Sequence, residues 1–576
     1  GRLVRHLSRN IKEYGRKTGK EIHFYVATHS LVNYAQWKIM SPESRLLDVD
    51  EVDGFIAQVW TGTSGTGNVY EGHYKSRTFE TAYLEYGIMQ ELVKGTDKEV
   101  WFLQDPVEDN PEHGWEEYED KYKKTLTAAL FWPDVDHYEV CPWPNRVFKG
   151  RYPRKVGLAE GMIPTEDMEG AKNIPDTYAT FLASMIQTLG DMTKGENETE
   201  KDAVGVFLAD SCMYQRTYPD HVEHHGQKIN LSGMEDWMNR LIFQKEEERQ
   251  LLLSMEKMEY AYKECCAFPD WFGLTLPLLK YGLPIQPVYF DHMVRYDEYL
   301  RKYRYLILSY EFMKPESEEF HHKLVEWVKQ GGTLFYIGKD FDPYNYLQEW
   351  WQKFFCDTPA QHLFAEFGMD KEPANGCYRI GEGNVLVWNE VPALLSVNEA
   401  IADKYRNWIR EGLKMGGYHW KMCNYLSVRR DPYIVIASMQ ESDMGSVYTK
   451  EGLFVDLYED KYPVVERVLV EPGQEKLLFD LEKIKEDVRI IATAARIENM
   501  VCENGQLSIE AKAIDHIQVN MRIRLPGKPE DLCAHTESGK NMELQSVWDE
   551  KSRTVLLSYR SNNEKVYITG KLKYES

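Results

Sequence analysis

The first 150 residues alternate between short apolar runs and helical segments, and this alternation restricts the fold more than any other feature. The apolar runs are IHFYVATHS, DGFIAQVWTGT, EVWFLQD and DHYEVCPWP. Between them lie RTFETAYLEYGIMQELVKG, which ends at Gly95, and GWEEYEDKYKKTLTAALF; the helical segment LVRHLSRNIKEYGRKTG precedes the first run and ends at Gly19. Buried strands separated by helices predict a parallel α/β sheet.

Four strand–helix units are too few to close a barrel. Residues 1–155 are therefore predicted to form the C-terminal half of a (β/α)8 TIM barrel or, alternatively, a small open α/β sheet. The half barrel is favoured because polar or aromatic side chains stand at the C-terminal ends of the strands, where barrels carry their chemistry. These side chains are His29, Gln58, Trp60, Asp105 and Trp143. Because the chain begins with a helix, the first half of the barrel is expected upstream of residue 1.

Three more regions follow the half barrel. Residues 151–175 are interpreted as a linker. A second strand–helix pattern, with AVGVFLADS, YRYLILSYEFM and TLFYIG as strands, predicts an amidotransferase-like (flavodoxin-like) doubly wound α/β domain over residues 170–418. From about residue 421 the hydrophobic period becomes two, which predicts an antiparallel β-sandwich domain over 419–485 and a C-terminal β domain over 486–576.

Composition narrows the possible partners. The net charge is −23 and no long run of Lys or Arg occurs, so a nucleic-acid partner is not expected. No stretch of about 18 apolar residues is present, so no membrane span is predicted. The nine cysteines are sparse and lack CxxC spacing, which argues against disulfides and a zinc site and favours a reducing, cytoplasmic location. Neither a cofactor nor a metal is expected.

The order of half barrel, amidotransferase-like domain and β domain resembles the family 42 glycoside hydrolases and related trimeric retaining glycosidases, such as the family 164 β-mannosidases. The most specific stretch is YRYLILSYEFMKPESEEFHHKLVEWVKQGGTLFYIG, residues 303–338, which is similar to their trimerisation domain. The resemblance implies a bacterial-type homotrimer. Cys212 ends a strand without the G-x-C-x-G turn of an active amidotransferase, so the middle domain is expected to be catalytically silent.

Glycosidases generally act with two carboxyl groups. The resemblance implies an acid/base residue upstream and a nucleophile at the end of the seventh barrel strand, which here falls in FLQDPVED. Residue type favours Glu108, whereas Asp105 lies nearer the strand end. Glu139 on the next strand is the third candidate, because period-two alternation places it on one face with Cys141 and Trp143. The structural alternatives are a turn initiator for Asp105, a solvated loop charge for Glu108 and a buried hydrogen-bonding group for Glu139.

Six side chains near the strand ends are predicted to bind hydroxyls or to stack on a sugar: His29, Asn33, Gln58, Trp60, Trp143 and Arg146. The resulting hypothesis is a glycoside hydrolase that cleaves β-linked sugars, in the manner of a β-galactosidase or β-mannosidase, by a retaining two-carboxylate mechanism. The alternative is a catalytically inactive carbohydrate-binding or assembly protein of the same architecture. A Glu at the end of an upstream fourth strand, often preceded by Asn, is expected only for the enzyme.

Overall fold

The structure is a computed structural model. It describes the chain apart from residues 38, 60, 72, 108–112, 157–163, 193–203, 215–220, 225–226, 231–267, 341–344, 346–348 and 574–576.

The first unit is built on a four-stranded parallel sheet with the order β1-β2-β5-β6, which confirms the predicted parallel α/β arrangement. A separate hairpin, β3 and β4, follows β2. The half-barrel interpretation stays a prediction, since β1 and β6 are both open edges. The strands are β1 Tyr25–Thr28, β2 Gly54–Gln58, β3 Gly67–Tyr70, β4 His73–Ser76, β5 Glu99–Gln104 and β6 Tyr138–Val140. The helices are α1 Arg2–Thr18, α2 Leu31–Trp37, α3 Thr61–Ser64, α4 Thr78–Val93, α5 Trp115–Leu130 and α6 Pro144–Phe148.

Helix α4 is buried on all sides. Of its 16 residues, 15 are buried, because one side covers the first sheet and the other packs against the middle domain. Close approach depends on Gly87: a Cβ there would lie 2.5 Å from the Trp132 ring and 2.9 Å from Pro287. Buried polar contacts cross this junction, among them those from Lys280 to Glu80 and from Gln286 to Glu91. The first unit and the middle domain are therefore joined by a closely packed interface that contains buried hydrogen bonds and an ion pair.

The linker interpretation of residues 151–175 is wrong. Strands β7 (Arg151–Val156) and β8 (Pro164–Asn173) pair as an antiparallel hairpin. Helix α7 (Asp176–Asp191), which the predicted boundaries assign to the middle domain, instead packs against the C-terminal sheets and the first unit. The Tyr178 hydroxyl donates to the Pro106 carbonyl and that of Thr180 to the Gln518 carbonyl, so the helix bridges two units that the sequence separates.

The middle domain contains a six-stranded sheet with the order β12-β9-β13-β14-β16-β15, parallel except for β15 at one edge. This is the doubly wound pattern that the alternating strands and helices predict. Its strands are β9 Val204–Leu208, β12 Ile285–Tyr289, β13 Tyr305–Leu308, β14 Thr333–Ile337, β15 Gly376–Ile380 and β16 Gly383–Trp388, and a hairpin is formed by β10 His221–His224 and β11 Gln227–Asn230. The helices are α8 Ser211–Tyr214, α9 Pro269–Leu279, α10 His292–Arg295, α11 Glu319–Lys329, α12 Pro359–Glu366, α13 Leu394–Val397 and α14 Glu399–Met415.

The region 419–485 forms one antiparallel sheet instead of the predicted sandwich. Its order is β17-β18-β21-β19-β20, with β17 Tyr425–Arg430, β18 Tyr433–Ser438, β19 Tyr448–Asp456, β20 Val464–Val470 and β21 Glu475–Asp480. The sheet packs against helix α5, so Tyr433 and Phe479 join the core of the first unit and the middle domain. Helix α5 of the first unit thus covers the face of this sheet that a second sheet would cover in a sandwich.

The C-terminal region consists of two antiparallel sheets around a core of their own. One has the order β22-β25-β29-β28 and the other β23-β24-β30-β26-β27. The strands are β22 Arg489–Thr493, β23 Arg496–Glu503, β24 Gln506–Lys512, β25 Gln518–Arg524, β26 Lys528–Thr536, β27 Asn541–Met542, β28 Gln545–Asp549, β29 Thr554–Arg560 and β30 Val566–Lys573. No helix of the described residues is long and apolar enough to cross a membrane.

Candidate active site

The pairing register aligns three of the predicted site residues across the first sheet. Gln58 pairs with Leu103, and Leu103 pairs with Glu139. Thr28 pairs with Ala57, so His29 follows in the same row beside Gln58. Because residues in register on parallel strands point to the same face, these side chains share one face of the sheet. Glu139 and Gln58 are two strands apart, about 10 Å at the usual strand spacing.

The opposite face is closed by helix α4. The rings of Tyr86 and Phe102 lie 4.4 Å apart. The Tyr86 hydroxyl lies 2.9 Å from both the Val59 and the Leu103 carbonyl oxygens, and Gln104 Nε2 donates to it over 2.9 Å. The row with Glu139 therefore lies on the face away from the helices, which we call the open face, and which would be the interior of a barrel.

Glu139 is the carboxyl group of this row. It is half-buried, and burial raises its pKa above the ordinary value of a glutamate. Its side chain forms no hydrogen bond and no ion pair with any of the residues that the structure describes. A half-buried carboxyl group without a partner carries a desolvation cost that a ligand or a catalytic role would offset. These properties make Glu139 a candidate functional group.

Asp105 is in a different state. It is 5% exposed, and its Oδ1 accepts a hydrogen bond from the Val107 backbone N–H at 3.2 Å, which is the bond of a turn-initiating aspartate. Arg146 Nη1 lies 3.7 Å from its Oδ2, and Arg146 Nη2 donates to the Val107 carbonyl oxygen. Arg146 therefore stabilises the turn after β5. These contacts match the interpretation of Asp105 as a turn initiator. They also occupy the guanidinium group of Arg146, which was predicted to bind a sugar.

His29 is held in a defined orientation at the end of β1. Its Nδ1 lies 3.1 Å from the Gln58 carbonyl oxygen, and its backbone N–H donates to the Tyr34 hydroxyl. A carbonyl oxygen can only accept, so Nδ1 carries the proton and Nε2 is the acceptor. Burial lowers the pKa of His29, which keeps the ring neutral near pH 7. The ring can therefore accept a hydrogen bond from a hydroxyl group through Nε2.

Two predicted substrate-binding residues lie elsewhere. Asn33 is 3% exposed and lies in α2, which packs against α4, so it does not reach the open face. Trp143 is 62% exposed, but β6 ends at Val140, and Cys141 has a positive φ of 52° that breaks the alternation. The predicted common face of Glu139, Cys141 and Trp143 is therefore wrong. Trp60 and Glu108 lie outside the described residues.

Sequence reasoning missed Glu85, a fully buried carboxyl group of helix α4. Burial raises its pKa to about 8, against the opposing effect of Ser30 and Asn33. Neither comes within hydrogen-bonding geometry of the carboxyl oxygens, and the Asn33 Nδ2 also lacks a partner among the described residues. The one available signal was a glutamate in a helix without a polar face. Glu85 lies on the face of the sheet that helix α4 covers, near Ser30 and Asn33.

The donor set for a metal ion is absent from the part of the chain that the structure describes, where no group of three or more His, Cys, Asp or Glu side chains is suitably arranged. Cys141 beside the site is buried, and burial together with the charge of Asp105 raises its pKa to about 12. Its thiol is therefore protonated and a poor nucleophile.

No family model and no curated protein matches the sequence. Glycoside hydrolases are among the solved structures that match. They include a β-galactosidase from Bacillus circulans sp. alkalophilus, with 11% identity, a TM-score of 0.38, and coverage of 83% of this chain and 66% of that one. The GH42 exo-carrageenase from Bacteroides ovatus has 10% identity, a TM-score of 0.32 and coverages of 77% and 51%. The GH42 β-galactosidase Gan42B has 10% identity and a TM-score of 0.25, with coverage of 96% of this chain and 63% of that one.

The chain spans between about half and two thirds of the length of these three structures. All three proteins are glycoside hydrolases by name, which is the class of enzyme that the domain order resembles. Because every TM-score lies below 0.5, neither the fold nor the activity of this chain is inferred from them.

Proposed function

We propose that this protein is a glycoside hydrolase that cleaves β-linked sugars with retention, and that Glu139 is one of its two catalytic carboxyl groups. The observation that carries the proposal is the state of Glu139: half-buried at a strand end, with a raised pKa and no partner among the described residues. It lies in one register row with Gln58 and the neutral His29.

The second carboxyl group needs to lie about 5–5.5 Å from the first for a retaining reaction. Asp105 is a poor choice, because the Val107 N–H and Arg146 hold it in a turn. Glu139 is therefore proposed as the nucleophile, with Glu108 as the alternative to it. We propose that the acid/base is contributed by strands that continue the sheet at its open β1 edge, as the half-barrel hypothesis requires.

Substrate recognition is assigned to the open face. His29 Nε2 accepts from a sugar hydroxyl, and the Gln58 amide both donates and accepts. Trp60 remains a proposed stacking group, and the exposed Trp143 is proposed to bind at the rim. The same proposal includes a homotrimer assembled through the middle domain.

The test uses the natural full-length protein and a panel of aryl β-glycosides that includes the β-galactoside and the β-mannoside. Hydrolysis is followed by release of the aryl group, and the anomer first formed is identified by proton NMR. We expect turnover of at least one glycoside with retention. Inversion would contradict the paired-carboxylate geometry. No turnover together with measurable sugar binding would favour the inactive carbohydrate-binding alternative, and the absence of both would refute the proposal.

A further inference from the structure

Tyr34 lies at the end of the first turn of helix α2 and reaches back to the end of β1. The helix begins at Ser30, whose hydroxyl oxygen accepts from the Asn33 N–H and whose carbonyl oxygen accepts from the Tyr34 N–H. Helical side chains lean towards the N-terminus of their helix. The Tyr34 hydroxyl oxygen accordingly lies 3.1 Å from the His29 backbone nitrogen and 3.0 Å from Thr28 Oγ1. It therefore holds the chain at the point where β1 ends.

His29 is held through its backbone and through its ring. The backbone N–H donates to the Tyr34 hydroxyl, and the carbonyl oxygen accepts from Thr28 Oγ1 over 3.1 Å. Nδ1 donates to the Gln58 carbonyl oxygen, and the His29 ring stands edge-on to the Tyr34 ring, with centroids 6.0 Å apart and planes at 88°. Nε2 has no hydrogen-bond partner among the residues that the structure describes, so this nitrogen is left as an acceptor.

Glu43 gives the contact between Tyr34 and His29 its direction. The single proton of the Tyr34 hydroxyl donates to Glu43 Oε1 over 2.8 Å, and the same oxygen accepts from Ser41 Oγ, also over 2.8 Å. A hydrogen bond to a carboxylate is about twice as strong as one between neutral groups, so the Tyr34 proton stays on the Glu43 side. The Tyr34 oxygen then accepts from the His29 N–H, and each donor of the chain points towards the carboxylate.

The charge of Glu43 also acts on the His29 ring. Burial lowers the pKa of His29, whereas the hydrogen bond to the Gln58 carbonyl oxygen and the charge of Glu43 act in the opposite direction. Glu43 lies on the short 3-10 helix Glu43–Leu46, and the elements β1, β2 and α2 bring Thr28, Gln58 and Tyr34 to His29. Burial raises the pKa of Tyr34, so its hydroxyl stays protonated. Glu43 is therefore the charge that these contacts place near the ring.

We propose that Tyr34 and Glu43 are positioning residues for His29, which hold its backbone and ring so that Nε2 faces a sugar hydroxyl on the open face. The inference rests on the substrate-binding role proposed above for His29. Both residues act through His29 and not through contact with the substrate. Their replacement should therefore change the state of the imidazole and the pH dependence of KM, two quantities that the loss of an ordinary buried hydroxyl would not change.

The first test follows the His29 ring in the full chain by NMR with isotope-labelled histidine, with the signals assigned from the spectrum of His29→Gln. We expect Tyr34→Phe to broaden the Nδ1–H signal, because the backbone that carries the ring is no longer held. Glu43→Gln should lower the pKa of His29 further, because it removes a negative charge that favours the imidazolium. The matched control is Tyr405→Phe, which removes a buried hydroxyl that donates to the Leu274 carbonyl oxygen in the middle domain and should change neither quantity.

The second test is steady-state hydrolysis of an aryl glycoside. Tyr34→Phe should raise KM by about 3- to 10-fold with a smaller change in kcat, since one neutral hydrogen bond to the substrate is weakened. KM of the wild type should also rise as the pH falls through the pKa of His29, because an imidazolium has no acceptor. Glu43→Gln should move this rise to lower pH, and Tyr405→Phe should keep the wild-type KM at every pH.

The two tests separate failure of this inference from failure of the proposed function. An unchanged Nδ1–H signal in Tyr34→Phe together with an unchanged pKa of His29 in Glu43→Gln would overturn the positioning role, and so would equal changes in Tyr405→Phe. Hydrolysis with the same KM profile in all variants would overturn the link to the substrate and leave the hydrolase proposal intact. If the NMR changes occur but the wild type neither binds nor cleaves a sugar, the proposed function fails, and the link to the substrate fails with it.

Discussion

The first sheet and the middle sheet both carry carboxyl groups at or just beyond the C-terminal ends of their parallel strands, and the contacts of these groups differ between the two sheets. In the middle domain Asp210 accepts from the hydroxyls of Ser44 and Tyr289, and Asp291 accepts from the Asp210 N–H at 3.0 Å. Farther along the same edge, Glu311 accepts from the Lys339 N–H, and Asp340 accepts from the hydroxyls of Tyr336 and Thr358. In the first sheet Glu139 has no such partner among the described residues.

The contrast teaches that a strand-end carboxyl group is not by itself a sign of catalysis. Where hydrogen bonds occupy the oxygens, the group fixes a turn or an interface, as Asp210 does between the Ser44 segment and the middle sheet. A group that keeps a raised pKa without a partner is the better candidate for chemistry. Asp105 belongs with the middle-domain acids, although it shares a sheet with Glu139.

The strongest test of this difference is to replace one carboxyl group from each sheet by the neutral amide and to compare the effects on catalysis. We expect Glu139→Gln to lower kcat for an aryl glycoside by at least about 10³-fold, because the amide cannot act as the nucleophile. Asp210→Asn, which keeps an acceptor for Ser44 or Tyr289, should leave kcat within about twofold. Steady-state kinetics on the full-length protein measures both. Equal losses in the two variants would contradict the assignment.

Stability should show the reverse order. Asp210→Ala leaves the Ser44 and Tyr289 hydroxyls buried without their acceptor, so we expect an unfolding free energy lower by about 2–4 kcal/mol. Glu139→Gln removes no described contact and should change it by less than about 0.5 kcal/mol. Urea denaturation at fixed pH compares the two. A larger loss in Glu139→Gln would indicate a structural role for Glu139.

The pH dependence of the unfolding free energy tests whether Glu85 is a buried neutral acid. Its pKa in the folded protein is about 8, raised by burial from 4.5. The folded state therefore holds its proton more tightly, and the stability this provides is complete below pH 4.5 and is lost as the pH rises to 8. The side chain in Glu85→Gln cannot ionise. The unfolding free energy of this variant should therefore rise relative to that of the wild type as the pH increases from 5 to 8. A constant difference across this range would refute the buried neutral acid.

The smallest expected effect concerns Arg146. Lysine lacks the fork that reaches both Asp105 and the Val107 carbonyl, so Arg146→Lys should cost about 1 kcal/mol of stability. Thermal unfolding measures this change, with Lys149→Arg as a charge-conserving control on the same segment. If kcat instead falls by more than about 100-fold while stability is kept, Asp105 and Arg146 belong to the catalytic site.

Local patterns predicted a good part of the fold. The alternating apolar runs and helical segments predicted the parallel strands of the first sheet and of the middle sheet, and the period of two predicted the antiparallel C-terminal strands. The antiparallel edge strand β15 of the middle sheet was not predicted. The hairpin formed by β7 and β8 was missed because the sequences of its strands are rich in polar residues and show no alternation of apolar and polar residues. The second sheet expected for 419–485 is replaced by helix α5, a long-range packing choice that short windows of sequence do not contain.

The candidate site divides in the same way. The sequence by itself placed His29, Gln58 and Asp105 at the C-terminal ends of strands and Glu139 on the next strand. Only the tertiary structure decided which acid is engaged, because the partners come from far along the chain: Ser44 and Asp210 are 166 positions apart, and Glu80 and Lys280 are 200 apart. Strand and helix formation depends on neighbours in sequence, whereas the pairing of a buried charge depends on neighbours in space.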